Sequence, residues 1–203
     1  MKRIIALMLC LAIMFSLAGC GEKGDENNSS NIGAETIRIR SDLKEGKIPE
    51  LPLALGCDIS EAKKALNALE KLPEGAEPEE GYTYYDTRTR GDSVRIGCEG
   101  NFYYYNQSKY SNGISAMVTF SDAFGFSIGI DMLSDITAAI PQDGTVYSPT
   151  ADELYFTFGE PDLNKYQAVY YTEGTNRLDF IFYDSYLSAV LIWNTELWDS
   201  KDA

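Results

Sequence analysis

The apolar positions of this chain change their spacing along its length, and each change marks an element. Ile4 to Leu17 is an apolar run broken only by Cys10 and Ser16, preceded by Lys2 and Arg3 and followed by Ala18 and Gly19. A short positive segment, an apolar core and small residues together form an export signal. A membrane-spanning helix needs about 20 apolar residues, and this run is shorter. From Gly21 to Glu35 Ile32 stands alone as a large apolar residue among Asn, Ser, Gly, Glu and Asp. Such a stretch buries too little surface to offset the entropy of ordering it, so residues 20–47 read as a disordered tether. Within it Thr36-Ile37-Arg38-Ile39-Arg40 alternates, as an edge strand or as more tether.

Beyond residue 48 the pattern becomes that of a folded domain. Ile59, Ala62, Leu66 and Leu69 recur at helical spacing after Asp58 and Ser60, either of which can accept the free amide protons of a first turn, and Leu72-Pro73-Glu74-Gly75 ends the helix. Strands are then predicted over 82–87, 93–98, 101–106 and 114–121, each bounded by Gly, Asn or Asp. In the last, Ile114, Ala116, Val118 and Phe120 alternate with Ser115, Met117, Thr119 and Ser121, as in a strand with one buried face. A short strand is predicted at Phe126-Ser127-Ile128 and a helix leading to Ala139-Ile140, stopped by Pro141. Thr150-Ala151-Asp152-Glu153 has the form of a capping box, which predicts a helix over 151–158 with Gly159 at its end and Pro161 beyond, against a rival strand over the β-prone Leu154-Tyr155-Phe156-Thr157-Phe158. Three antiparallel strands follow over 166–172, 177–183 and 187–193.

The segment Gly129-Ile130-Asp131-Met132-Leu133-Ser134-Asp135-Ile136 matches Gly56-Cys57-Asp58-Ile59-Ser60-Glu61-Ala62 with one inserted residue. Strand, Gly-x-Asp turn and amphipathic helix therefore occur twice, with a period of about 73 residues. The predicted fold is α+β, made of two weak repeats (48–124 and 125–198), each a helix packed on an antiparallel sheet, with a tail at 199–203. The second half, from its helix through Phe158-Gly159-Glu160-Pro161 to Leu178-Asp179-Phe180-Ile181-Phe182 and Ala189-Val190-Leu191-Ile192, resembles the repeat of β-lactamase inhibitory proteins. Small SmpA/OmlA-type envelope lipoproteins are similar. The resemblance implies a tandem fold whose sheet face grips other proteins, and it carries over no catalytic residue.

Leu17-Ala18-Gly19-Cys20 resembles the lipobox of bacterial lipoproteins. It implies that residues 1–19 are removed, that Cys20 is acylated, and that the protein is anchored outside the cytoplasm by several acyl chains, since one chain alone binds a bilayer only marginally. Removing residues 1–19 takes Lys2 and Arg3 from a chain of net charge −14, leaving −16 over 184 residues. That sign opposes nucleic acid, whose binding is dominated by phosphate attraction, and opposes anionic lipid as well. Two cysteines remain beside Cys20. Cys57 and Cys98 are free to pair in an oxidising compartment or to stay as thiols in the core.

The chain has no histidine, which removes the usual base of a nucleophilic triad and the usual nitrogen ligand of zinc. No cofactor or metal is expected. Asp179, Asp184 and Glu173 lack the dense loop of a calcium site. Tyrosine offers the binding candidates. In Phe102-Tyr103-Tyr104-Tyr105 alternate side chains face opposite ways, so Tyr84, Tyr103, Tyr105 and Tyr110 are candidates for an outward aromatic patch, or else for cross-strand pairs. The sequence thus predicts a membrane-anchored, non-catalytic binding module for a protein or glycan. Its alternatives are a structural component of an envelope assembly and a carbohydrate hydrolase working through a carboxylate pair drawn from Asp86, Glu99, Asp122, Glu160 and Asp184.

Overall fold

A computed structural model describes residues 26–66, 84–86, 93–98, 100–106, 113–141, 143–151, 153–154 and 161–198. The signal, Cys20, Glu99, Tyr110, Glu160, most of the predicted 151–158 helix and the 199–203 tail lie outside them. The described chain is α+β, with helices on an antiparallel sheet. Its helices are α1 (Glu26–Lys44), α2 (Ile59–Ala65), α3 (Leu133–Ala139) and α4 (Thr195–Trp198). Its strands are β1 (Tyr84–Asp86), β2 (Ser93–Cys98), β3 (Asn101–Asn106), β4 (Ile114–Thr119), β5 (Thr145–Tyr147), β6 (Tyr166–Glu173), β7 (Asn176–Tyr183) and β8 (Tyr186–Asn194). They form a single eight-stranded sheet in the order β1-β2-β3-β4-β8-β7-β6-β5. The join is antiparallel, with Ala116, Met117, Val118 and Thr119 opposite Trp193, Ile192, Leu191 and Val190.

The tether reading is corrected here. From Glu35 onward the segment belongs to the domain, and α1 buries Thr36, Ile39 and Leu43 along one face, at helical spacing. Thr36 Oγ1 donates to the Ala139 carbonyl (3.1 Å), Asn176 Nδ2 donates to the Leu43 carbonyl (2.9 Å), and Arg40 reaches Asp143 (2.9 Å) and Glu173 (3.4 Å). The alternation of Thr36 to Arg40 is thus incidental. The physical cause is tertiary: Ile39 and Leu43 enter the core with Ile48, Leu178 and Phe180, and that burial outweighs the poor apolar content of the segment.

α2 starts at one of the two expected caps, and α3 starts on a bond within its own first turn. The Asp58 carboxylate accepts from Ser60 N (2.8 Å) at the head of α2, and Asp135 accepts from Met132 N (2.8 Å) at the head of α3. Behind α3, Tyr171 donates its hydroxyl to the Ile140 carbonyl (3.1 Å), and burial, opposed by the charge of Arg40, pushes its phenol up to about 12, so it remains a donor.

Some strand expectations need correction. Phe126 makes only a bridge to Ala123, so residues 126–128 form a turn. β4 is buried at every position, Ile114 to Thr119, because it lies inside the sheet and both its faces are covered. Its helix side, with Ile114 and Met117, joins a core containing Ile96, Tyr103, Tyr105, Phe124, Phe180, Phe182 and Ile192. On the opposite side Ala116 and Val118 join Phe102, Tyr104, Ala168, Ile181, Ala189 and Leu191, under Leu154. Thr150 and Glu153 do form the capping box: Thr150 N donates to Glu153 Oε2 (2.8 Å) and Glu153 N to Thr150 Oγ1 (3.3 Å).

If α1 is part of the core, Ile39→Ala should destabilise the domain by about 2–5 kcal/mol, as deletion of buried methylenes does. Urea unfolding with an unchanged m-value checks this. A loss under about 0.5 kcal/mol, typical of exposed positions, would restore the tether.

Candidate functional site

Of the sequence-predicted tyrosine patch, Tyr103 and Tyr105 do not reach the surface. Tyr103 and Tyr105 are 1% and 5% exposed and pack in the helix-side core, Tyr105 beneath Lys63. Alternation sends neighbouring residues of β3 to opposite faces as expected, but both faces are covered, so neither set reaches solvent. The side chain of Tyr84 and the whole of Tyr110 lie outside the described residues.

Of the two states left open for Cys57, the structure shows the thiol; the side chain of Cys98 lies outside the described residues. The Cys57 carbonyl accepts from Ile114 N (2.9 Å) at the first residue of β4, which is in register with Tyr105, whereas Cys98 is in register with Asn101. Asn101 and Tyr105 stand four residues apart on β3, about 13 Å at the strand rise. A disulfide needs Cα atoms within about 7 Å. Cys57 is accordingly a free thiol, pushed up by burial and by the charges of Glu61 and Asp58, so it is no ready nucleophile.

What the fold does assemble is a charged cluster ringed by aromatics, on the sheet face away from the helices. Arg177 and Asp179 are two apart on β7 and so share a face. Register places Trp193 of β8 beside Arg177 and Tyr170 of β6 beside Asp179. Tyr147 enters from the edge strand β5, whose Thr145 pairs with Tyr170. Asp179 is fully buried. It accepts from Arg177 Nε (3.0 Å to each oxygen), Arg177 Nη2 (2.6 Å), Trp193 Nε1 (2.7 Å) and the Tyr147 hydroxyl (2.8 Å). The guanidinium carbon stands 4.0 Å from the centre of the Tyr170 ring and 5.0 Å from those of Tyr147 and Trp193. Glu153, held by its capping box, adds an oxygen 3.8 Å from Arg177 Nη2. A planar, weakly hydrated cation suits this stacked and bidentate setting, where a lysine would not.

Burial pushes the Asp179 carboxyl up from its ordinary value, while Arg177, Trp193 and Tyr147 pull it down. Every neighbour in that set is a donor, and only the ionised carboxylate can accept from all of them, so the charged form is the one this geometry supports. Tyr147 is held protonated, chiefly by burial and then by the charge of Asp179. Asp179 is therefore committed: using it as a proton acceptor or a cation ligand would first require dismantling the cluster.

The other acids considered from sequence are dispersed in their partners. Asp122 accepts from Ile128 N and Ser127 Oγ, Asp184 lies 3.8 Å from Lys165, and Glu173 faces Arg40. The side chain of Asp86 lies outside the described residues. The cluster had a readable signal, an Arg-x-Asp pair whose aspartate interrupts the otherwise apolar run Leu178 to Phe182, but its aromatic partners come from three other strands. Comparison with protein-family models, curated proteins and solved structures returns no match.

Replacing Asp179 by Leu should cost about 3–5 kcal/mol because it strands a largely buried guanidinium, while Asp179→Leu combined with Arg177→Met should recover much of that loss. Urea unfolding of both variants and the parent checks the coupling. Additive losses would mean that the two side chains act independently.

Proposed function

We propose that the chain is a bacterial surface lipoprotein, anchored through lipid on Cys20, whose domain is a non-catalytic binding module for a protein or a glycan. The observation that carries the reading is the gathering of Tyr147, Tyr170 and Trp193, each half-buried, around Arg177 on one sheet face. Rigid rings with a polar handle are the side chains that anchor interfaces and stack on sugars. A guanidinium already positioned among them loses little further freedom when a partner arrives. The committed hydrogen bonds of Asp179 favour binding over acid-base chemistry at this place.

The domain is further proposed to be a tandem of two related halves, 48–124 and 125–198, as the resemblance to β-lactamase inhibitory proteins implies. Hydrogen bonds support this. Gly56 N donates to the Ile114 carbonyl and Ile114 N to that of Cys57, while Gly129 N donates to the Leu187 carbonyl and Leu187 N to that of Asp131. Gly56 and Gly129 both have φ in the left-handed region, 80° and 76°, which glycine adopts without steric cost. Gly56 and Gly129 are 73 residues apart, as are Ile114 and Leu187. The same offset exchanges the Met117–Ile192 pair of the join with Val190–Thr119, as a two-fold axis through the join requires.

The test uses the soluble Cys20→Ala protein on arrays of wall glycans and of envelope proteins. Tyr170→Ser should weaken capture about tenfold or more, equivalent to 1.4 kcal/mol, with a melting temperature within about 3 °C of the parent. Undiminished capture by Tyr170→Ser would move the site elsewhere. Turnover of a wall glycan, lost on changing one carboxylate to its amide, would contradict the non-catalytic reading.

A further inference from the structure

We propose that the end of the domain built from the 128–132 turn and the β7–β8 hairpin rests on the bilayer, with Ile130, Met132 and Tyr186 entering the headgroup region. This rests on the reading of Cys20 as the lipid anchor.

Ile130 is 70% exposed, Tyr186 48% and Met132 40%, large apolar side chains with no cover within the described domain. They are held together by backbone bonds: Gly129 N to the Leu187 carbonyl and Leu187 N to the Asp131 carbonyl, both 2.7 Å, with Met132 bridged to Tyr186. Tyr183, also at the surface, is paired with Tyr186 across the hairpin. Three acids at this end cap its own amides from the surface. Asp122 accepts from Ile128 N (2.9 Å), Asp131 from Ser127 N (2.6 Å) and Asp135 from Met132 N (2.8 Å). Three carboxylates of this end thus bond its own backbone and Asp184 at the hairpin turn faces Lys165, while the apolar side chains beside them stand in water. Isolated exposed apolar residues need no explanation; a cluster containing tyrosines suits a bilayer interface, where amphipathic rings and aliphatic tips settle together.

The course of the chain selects that occupant. At its N-terminal side the domain begins at Glu35, whose Oε1 lies 4.0 Å from where a Cβ on Gly125 would stand, beside this same loop. From there α1 runs to the opposite end of the sheet, where Asn176 at the start of β7 holds the Leu43 and Lys44 carbonyls. The chain therefore enters the domain at the end that carries Ile130 and Tyr186. Fifteen positions separate Cys20 from Glu35, and residues 26–34 of that interval are helical. At about 1.5 Å per helical residue and 3.5 Å per extended one, its reach is at most roughly 35 Å. That reach is comparable to the diameter of a domain of this size, and it starts from the end that carries Ile130 and Tyr186, so this end can meet the lipid without a fully extended tether. The acidic balance of the chain points to zwitterionic headgroups as the better support.

The experiment places a tryptophan at the tip. Full-length acylated protein carrying Ile130→Trp is reconstituted in phosphatidylcholine vesicles with brominated acyl chains, beside the parent, whose Trp193 and Trp198 give the background. The variant should float with the vesicles and the added emission should fall about twofold against unbrominated vesicles, as for a side chain at the acyl boundary. Tyr186→Trp repeats the measurement from the hairpin side and should give the same fall. Flotation without quenching in either variant overturns the proposal while leaving the anchor intact, and a blue shift without quenching does so by showing burial against a second copy. Failure of the parent to float overturns both the anchor and the proposal.

Discussion

The pairing of β4 with β8 is the constraint on which the rest of the structure depends. Without it the chain would present two four-stranded meanders, each ending in a strand rich in unpaired backbone groups and apolar side chains. Such edges invite association with other chains. Joined antiparallel, the two strands become the centre of one sheet, and Ala116, Val118, Ala189 and Leu191 on one side and Met117, Val190 and Ile192 on the other are buried together. A single helix-side core results, drawing Ile39 and Leu43 from α1, Ile136 from α3, and strand residues from both halves. Beside α2 and α3, seven residues each, α1 adds Ile39 and Leu43 to the cover of the helix side of this broad sheet.

The same join supports the candidate site. Trp193 pairs with Ala116 across the join and with Arg177 on its other side, so the residue that donates to Asp179 is itself located by the central pairing. The cluster is expensive to dehydrate, and a well-packed apolar replacement would recover much of what it contributes to stability. Its geometry fixes a cation and two of the three rings around it, Tyr147 and Trp193, through one carboxylate that has no remaining acceptor to offer.

Much of the strand pattern was legible because alternation and turn residues speak locally. Asp184 and Ser185, both with positive φ (48° and 79°), form the hairpin turn expected between β7 and β8. Errors arose where the answer depended on what lies above the sheet. Tyr103 and Tyr105 alternate with Phe102 and Tyr104 as expected, yet all four are buried, because cover on both faces comes from segments distant in sequence. The helical stripe Thr36, Ile39, Leu43 was masked by a local alternation. β5, three residues long with exposed Thr145 and Val146, carries almost no apolar signal and exists because β6 offers it an edge. For the site, Arg177 and Asp179 were readable as a pair, but Tyr147 and Trp193 reach them only through the topology.

The central claim is that the two halves fold as one body through the β4–β8 join, and differential scanning calorimetry of the Cys20→Ala protein tests it most directly. One transition whose calorimetric enthalpy equals its van't Hoff enthalpy is predicted. Two separable transitions, or a calorimetric enthalpy about twice the van't Hoff value, would show halves that melt independently and would contradict the account.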